Sequence, residues 1–256
     1  MKVLLSPAKS LDYNTKIDCL DFSIPTYLKD SEILAKKMGK NSPSKIAKMM
    51  TLSKDLAELN HHRYQNWESP NDSYDSNRQC VFAFSGEVYK GFDAWSLSKS
   101  QLDLAQDKIR ILSGLYGILK PLDLIYPYRL EMGTKWEITP KIKNLYSFWG
   151  SKIIDFLNAE MKISGESEII NLASNEYFKA VDLKKNKNKI ITPIFKDFKN
   201  GEFKMIMMYA KHARGAMARY IITNNINTSE ELKLYSIDGY QFDVNQSNEN
   251  EFVYVR

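Results

Sequence analysis

Hydrophobic positions along the chain change period several times, and each change predicts an element. Lys2-Val3-Leu4-Leu5 is a short apolar run closed by Ser6-Pro7, which predicts a buried strand running into a loop over residues 6–12. Residues 31–38 and 43–50 carry helical spacing. Ser53 is a good cap ahead of Leu56, Leu59 and His62, so a third helix is expected to about residue 67. Val81-Phe82-Ala83-Phe84 predicts a strand entering the turn Ser85-Gly86-Glu87. Residues 102–112 return to helix, with Leu104, Lys108, Ile111 and Leu112 on one face and Ser113-Gly114 as the stop. Farther on, 147–162 predicts a helix and 168–172 a strand. Residues 189–195 and 203–209 predict two strands joined by a polar turn, and 210–224 a helix. Residues 71–77 form the one loop polar enough to be disordered. No repeat or linker interrupts the series, which predicts a single α+β (mixed α/β) domain over 1–256 with a helical insertion near 31–67.

Composition narrows the class. The 256 residues are 43% hydrophobic and 26% charged, an ordinary globular balance that excludes collagen, low complexity and a disulfide scaffold. No apolar run approaches the roughly 18 residues of a membrane span. The apolar start is too short for a signal peptide, so a cytoplasmic protein with no membrane partner is expected. Two cysteines, Cys19 and Cys80, are read as buried or idle rather than bridged.

Charge adds a direction. The formal net charge is +5, but residues 179–219 hold eleven Lys/Arg against three acids, which is +8, and the other 215 residues sum to −3. One-sided basic surface is what phosphate-rich partners select, although any single lysine here also reads as a solubilising side chain.

Candidate chemistry is sparse. Ser6-Pro-Ala-Lys9 matches the Ser-x-x-Lys nucleophile pattern, but Pro7 favours extended backbone at Ser6 and its companion motifs are missing. Lys9, in a loop after a strand, reads either as an anion contact or as an uninvolved lysine. His61 and His62 are adjacent and point about 100° apart on a helix, so one metal ion cannot take both. No phosphate-binding loop or dinucleotide fingerprint is present, and no cofactor is expected. Residues 111–123 pair Gly114 with Gly117 in a short apolar turn, as in a helix-hairpin-helix that brings backbone N–H groups to a phosphate; a plain structural turn fits equally. Residues 43–50 and 53–67 form a second hairpin candidate, with Lys45, Lys48, Lys54 and Arg63 available to a nucleic-acid backbone. Tyr209-Ala-Lys-His-Ala-Arg-Gly-Ala-Met-Ala-Arg-Tyr220 is the strongest basic element, with Lys211 and Arg214 on one face beside Gly215.

Taken together, Ser6–Asp12, Gly86–Gly91, Leu112–Asp123, Pro127–Gly133, Asn171–Lys179 and Tyr209–Tyr220 resemble, in order and spacing, the bacterial YaaA family. The resemblance implies a peroxide stress-response protein that lowers free intracellular iron. It also implies a mixed α/β fold of unusual topology, a basic cleft, a helix-hairpin-helix element and binding to double-stranded or distorted DNA. No catalytic residue carries over, and no obligate protein partner is evident. The basic positions inside matching blocks are Lys9, Lys120, Arg129, Lys179, Lys211, Arg214 and Arg219, expected as nucleic-acid or phosphate contacts. His212 stands where another basic residue is expected, which makes a contact there pH-dependent.

An alternative reading is an enzyme on a nucleotide or nucleic acid, with Glu131 or Glu176 as acid/base and Lys9 or Lys179 as electrophile or nucleophile. One closed pocket gathering Lys9, Arg129, Glu131, Glu176 and Lys211 would favour it; an open groove would favour binding. Direct iron sequestration is a third reading, weakened by the lack of ligand clusters.

Overall fold

The computed structural model describes residues 1–17, 21–70 and 76–256. Cys19 and most of the 71–77 loop lie outside the described residues; Cys80 is a free, buried thiol. Lys2–Leu5 sits inside the main sheet, and its apolar run Val3-Leu4-Leu5 suits a strand covered on both faces. Ile109–Ser113 and Glu168–Asn171 flank it in parallel, with Val3 in register with both Ile109 and Ile170. Lys189–Lys199 and then Glu251–Val255 extend the parallel run. Gly117–Leu119 and Gln241–Phe242 close the two edges antiparallel, and Glu202–Lys204 folds back on Lys189–Lys199. Buried apolar side chains from the sheet and its covering helices join in one cluster.

From Lys2–Leu5 the chain goes first to Ile109–Ser113 on one side, and only later to Glu168–Asn171 on the other. The gap outside the carboxyl ends of Lys2–Leu5 and Glu168–Asn171 is therefore a topological switch point, where open α/β sheets leave a crevice.

The segment between the first two sheet strands holds the expected helical insertion. Leu28–Gly39, Pro43–Met50 and Lys54–Gln65 form for local reasons: Ser42 caps Lys45 N–H and Pro43 opens its helix, while Ser53 caps Leu56 N–H. Thr51 turns between the last two helices with φ +53°. Tyr64 donates to the Arg129 carbonyl at 2.8 Å and ties this helical pair to the loop after the sheet's edge.

Four expectations are corrected. Residues 81–84 are not a strand: Cys80–Ala83 is a single helical turn between the two-residue strands Arg78–Gln79 and Phe84–Ser85. The helix expected over 102–112 is Lys99–Lys108, because Ile109–Ser113 leaves to pair with Lys2–Leu5. That makes the first hairpin candidate a buried β-hairpin, not two helices. Gly114 is needed there, since a Cβ would lie 2.3 Å from the Leu130 carbonyl. The strand expected over 203–209 stops at Lys204, and Met207–Thr223 is one helix that absorbs the rest. The 147–162 helix is split at Gly150, φ +49°, into Leu145–Trp149 and Lys152–Ser164.

Candidate functional site

The crevice is built by two helices whose backbones touch. In Met207–Thr223, a Cβ on Gly215 would lie 1.8 Å from the Val88 carbonyl; in Glu87–Phe92, a Cβ on Gly91 would lie 2.2 Å from the His212 carbonyl. Only glycine permits that approach, and it sets Val88 and Tyr89 directly beside Lys211 and Arg214. These four residues, with Ser6, Lys9, Ser174 and Glu176, line a pocket of about 260 Å³ at the carboxyl ends of Lys2–Leu5 and Glu168–Asn171.

At its floor, Ser6 Oγ accepts the Ser174 N–H at 2.9 Å and donates to Ser174 Oγ at 3.3 Å. Tyr89 donates its hydroxyl to the Ser6 carbonyl at 3.1 Å. Arg214 is half-buried and has no hydrogen-bond or ion-pair partner among the described residues. Burial alone pushes its pKa down, with no acidic group pulling the other way. Lys211 lies one helical turn earlier and is exposed. Of the carboxylates at the rim, Glu87 is held by Lys90 at 2.6 Å, and that hydrogen bond keeps its pKa below the usual range. Glu176 Oε1 accepts the Gly133 N–H at 2.8 Å.

At Glu176 the pocket meets a wider cleft of about 880 Å³, walled by Pro43–Met50 on one side and by residues 131–135 on the other. Lys45, Lys48 and Lys135 line it without an ion pair among the described residues. Glu131 lines it too, bound to Lys9 at 2.6 Å and to Arg129 at 3.4 Å, so the acid is neutralised from both sides. The second hairpin candidate is thus a real helical pair, and its Lys45 and Lys48 line the cleft that adjoins the strand-end pocket, whereas Lys54 lies elsewhere, 3.9 Å from Glu58, and Arg63 lines neither concavity. Six cations and three carboxylates line the two concavities together.

The sequence-derived contacts divide accordingly. Lys9, Lys211 and Arg214 line the pocket, and Arg129 backs it through Glu131. Lys120 lies at the other end of the sheet, 3.2 Å from Glu160. Lys179 sits over the Tyr146 ring at 5.2 Å, outside the pocket. Arg219 donates to the carbonyls of Phe92 and Asp93 at 3.1 and 2.7 Å, closing the end of the Glu87–Phe92 helix. His212 stands between Glu87 at 4.0 Å and Asp238 at 3.6 Å. The Ser-x-x-Lys reading separates: Ser6 bonds to Ser174 and Lys9 to Glu131. His61 and His62 also part, His61 toward the Asn41 carbonyl and His62 toward Asn66. No group of three His, Cys, Asp or Glu side chains that could hold a metal lies among the described residues. None of their helices is long and apolar enough to cross a membrane. Sequence reasoning missed Ser174 and Tyr89 as pocket residues, and the only sequence signal for them was their place inside the matching blocks.

A family model described as "Peroxide stress protein YaaA" matches residues 1–246. Curated relatives named UPF0246 protein match over the whole chain. The one from Aliivibrio fischeri (strain ATCC 700601 / ES114) is 49% identical across 98% of its own length. Those from Shewanella baltica (strain OS155 / ATCC BAA-1091) and Flavobacterium johnsoniae are 48% and 46% identical, across 99% and 100% of theirs.

Proposed function

The chain belongs to the peroxide stress protein YaaA family, and from that membership we propose that it acts in the cytoplasm during hydrogen peroxide stress by binding DNA in its basic groove, in a response that lowers free intracellular iron. The stress role follows from the family. DNA binding is supported by one observation above the others: Lys45 and Lys48 of the helical pair line a cleft that joins the pocket of Lys9, Lys211 and Arg214. Cations so placed, with few acids to answer them, suit a polyanion lying along the groove and contacted through its backbone. The groove is not one closed pocket gathering all five residues of the enzymatic reading. Glu131, one of that reading's two acid/base candidates, is tied to Lys9 and Arg129 rather than left free.

The test is a titration of duplex and bubble DNA with 5′-hydroxyl ends across salt, comparing wild type with Lys45→Ala plus Lys48→Ala. Each phosphate contact contributes about 0.9 to the slope of log affinity against log salt, so the double variant is expected to flatten it by about 2. A double variant that binds with the wild-type slope rejects the groove. For the iron response, cells lacking the protein are expected to show more chelatable iron after peroxide, and an unchanged level would remove that part.

A further inference from the structure

Arg214 poses a problem that backbone binding in the wider cleft does not solve. A half-buried guanidinium pays desolvation, and native chains ordinarily supply a carboxylate for it. Here neither acid of the pocket lining pairs with it: Glu87 is bound to Lys90, and Glu176 accepts the Gly133 N–H through one oxygen. The charge is therefore kept for something that enters the pocket.

The floor shows what would fit. Ser6 Oγ uses its proton on Ser174 Oγ and its lone pair on the Ser174 N–H. That leaves the Ser174 hydroxyl proton free to donate into the cavity. Two cations one helical turn apart, a forked donor and a free hydroxyl suit a dianionic, tetrahedral group. A phosphodiester inside a strand carries one charge and must leave in two directions, whereas this floor is closed by the paired serines. At roughly 30 Å³ per water, a space of about 260 Å³ holds eight or nine waters, several times the room a bare phosphate needs. Val88, Tyr89 and Leu172 give the lining an apolar patch, alongside Ser10, Ser85 and the carboxylates of Glu87 and Glu176.

We propose that this pocket binds a phosphate monoester of nucleotide size, its dianion between Arg214, Lys211 and the Ser174 hydroxyl and its organic body against Tyr89 and Val88. The monoester can come from a DNA strand terminus or from a free mononucleotide. The proposal deepens the groove reading, resting on it only for the first of those sources.

The experiment measures adenosine 5′-monophosphate and adenosine binding by calorimetry to wild type, Arg214→Gln and Arg214→Lys, each checked for a cooperative melt. The monophosphate is expected to bind and adenosine not. Arg214→Gln is expected to weaken the monophosphate at least tenfold, and Arg214→Lys, which keeps the charge but not the fork, to fall between. A second arm compares one duplex with 5′-phosphate and with 5′-hydroxyl ends. Preference for the phosphorylated duplex supports the strand terminus, while monophosphate binding without that preference supports the free nucleotide. Adenosine binding as well as its monophosphate, or a folded Arg214→Gln that binds the monophosphate like wild type, overturns the proposal. Should Arg214→Gln not fold, the wild-type contrast between adenosine and its monophosphate still decides. Loss of duplex binding in Lys45→Ala plus Lys48→Ala with monophosphate binding intact would separate the two readings, as would the reverse.

Discussion

Cations withdrawn from solvent occur at both ends of the parallel sheet, fully buried at one and half-buried at the other, and the two ends treat them differently. At the amino end Lys2, 2% exposed, lies 3.0 Å from both Asp107 and Glu166, and the Met1 ammonium lies 2.6 Å from Glu166. Arg110, also 2% exposed, forks onto Glu160 at 2.7 and 2.8 Å, and Lys120 joins the same carboxylate. Lys108, 4% exposed beside them, instead donates to the Asn227 side-chain carbonyl at 2.9 Å. The cations at the amino end each have a carboxylate or an amide oxygen to answer them, whereas the Arg214 guanidinium at the carboxyl end has neither among the described residues, which is the contrast that the proposed ligand site rests on.

Arg110→Ala should break the comparison hardest. Removing the fork leaves Glu160 with Lys120 alone and empties the space of a fully buried side chain, and about 3 kcal/mol of stability is expected to go, read from urea unfolding. DNA affinity of the molecules still folded should not change; a weakened groove would mean the two ends are coupled. Next comes acid. Burial works to raise the Glu166 carboxyl, but hydrogen bonds from the Met1 ammonium, Ser164 and Lys2 more than reverse it, leaving it at about 2 against 4.5 unperturbed. Because the folded value is the lower one, the stabilisation is complete above about 4.5 and is lost as pH falls toward about 2, up to about 3 kcal/mol. Glu166→Gln should lack that acid limb, and parallel unfolding curves for the two proteins through this window would count against it. The smallest effect is at the carboxyl end. Arg214→Met removes a half-buried charge that no acid compensates, so stability is expected to stay within about 1 kcal/mol or to rise. A loss as large as that of Arg110→Ala would mean the guanidinium serves the fold after all.

Sequence reached the elements whose causes are local. Ser53 capping Leu56 and Pro43 opening its helix are nearest-neighbour effects, and both helices stand where their spacing puts them. It failed where an apolar run could serve either geometry. Ile109–Ser113 becomes a strand only because Lys2–Leu5, far earlier in the chain, offers an edge. Glu251–Val255, in an acidic tail with no element expected after residue 224, becomes an internal strand beside Lys189–Lys199 for the same reason. The site divides likewise. Lys9, Lys211 and Arg214 could be found from their charge and their blocks, but the floor could not, since Ser6 and Ser174 are 168 residues apart. Nor could a sequence say that Lys120 and Arg219 are engaged internally, by Glu160 and by the carbonyls of Phe92 and Asp93.

The contact of Gly91 with His212 and of Gly215 with Val88 has a consequence for motion. Sliding either helix by one residue would drive a Cβ into a carbonyl where now there is only hydrogen, so these two helices cannot shear past each other. They act as one rigid jaw. A phosphate seated between Lys211, Arg214 and Val88 would meet that side of the pocket already shaped and spend none of its binding energy on bringing the two helices together.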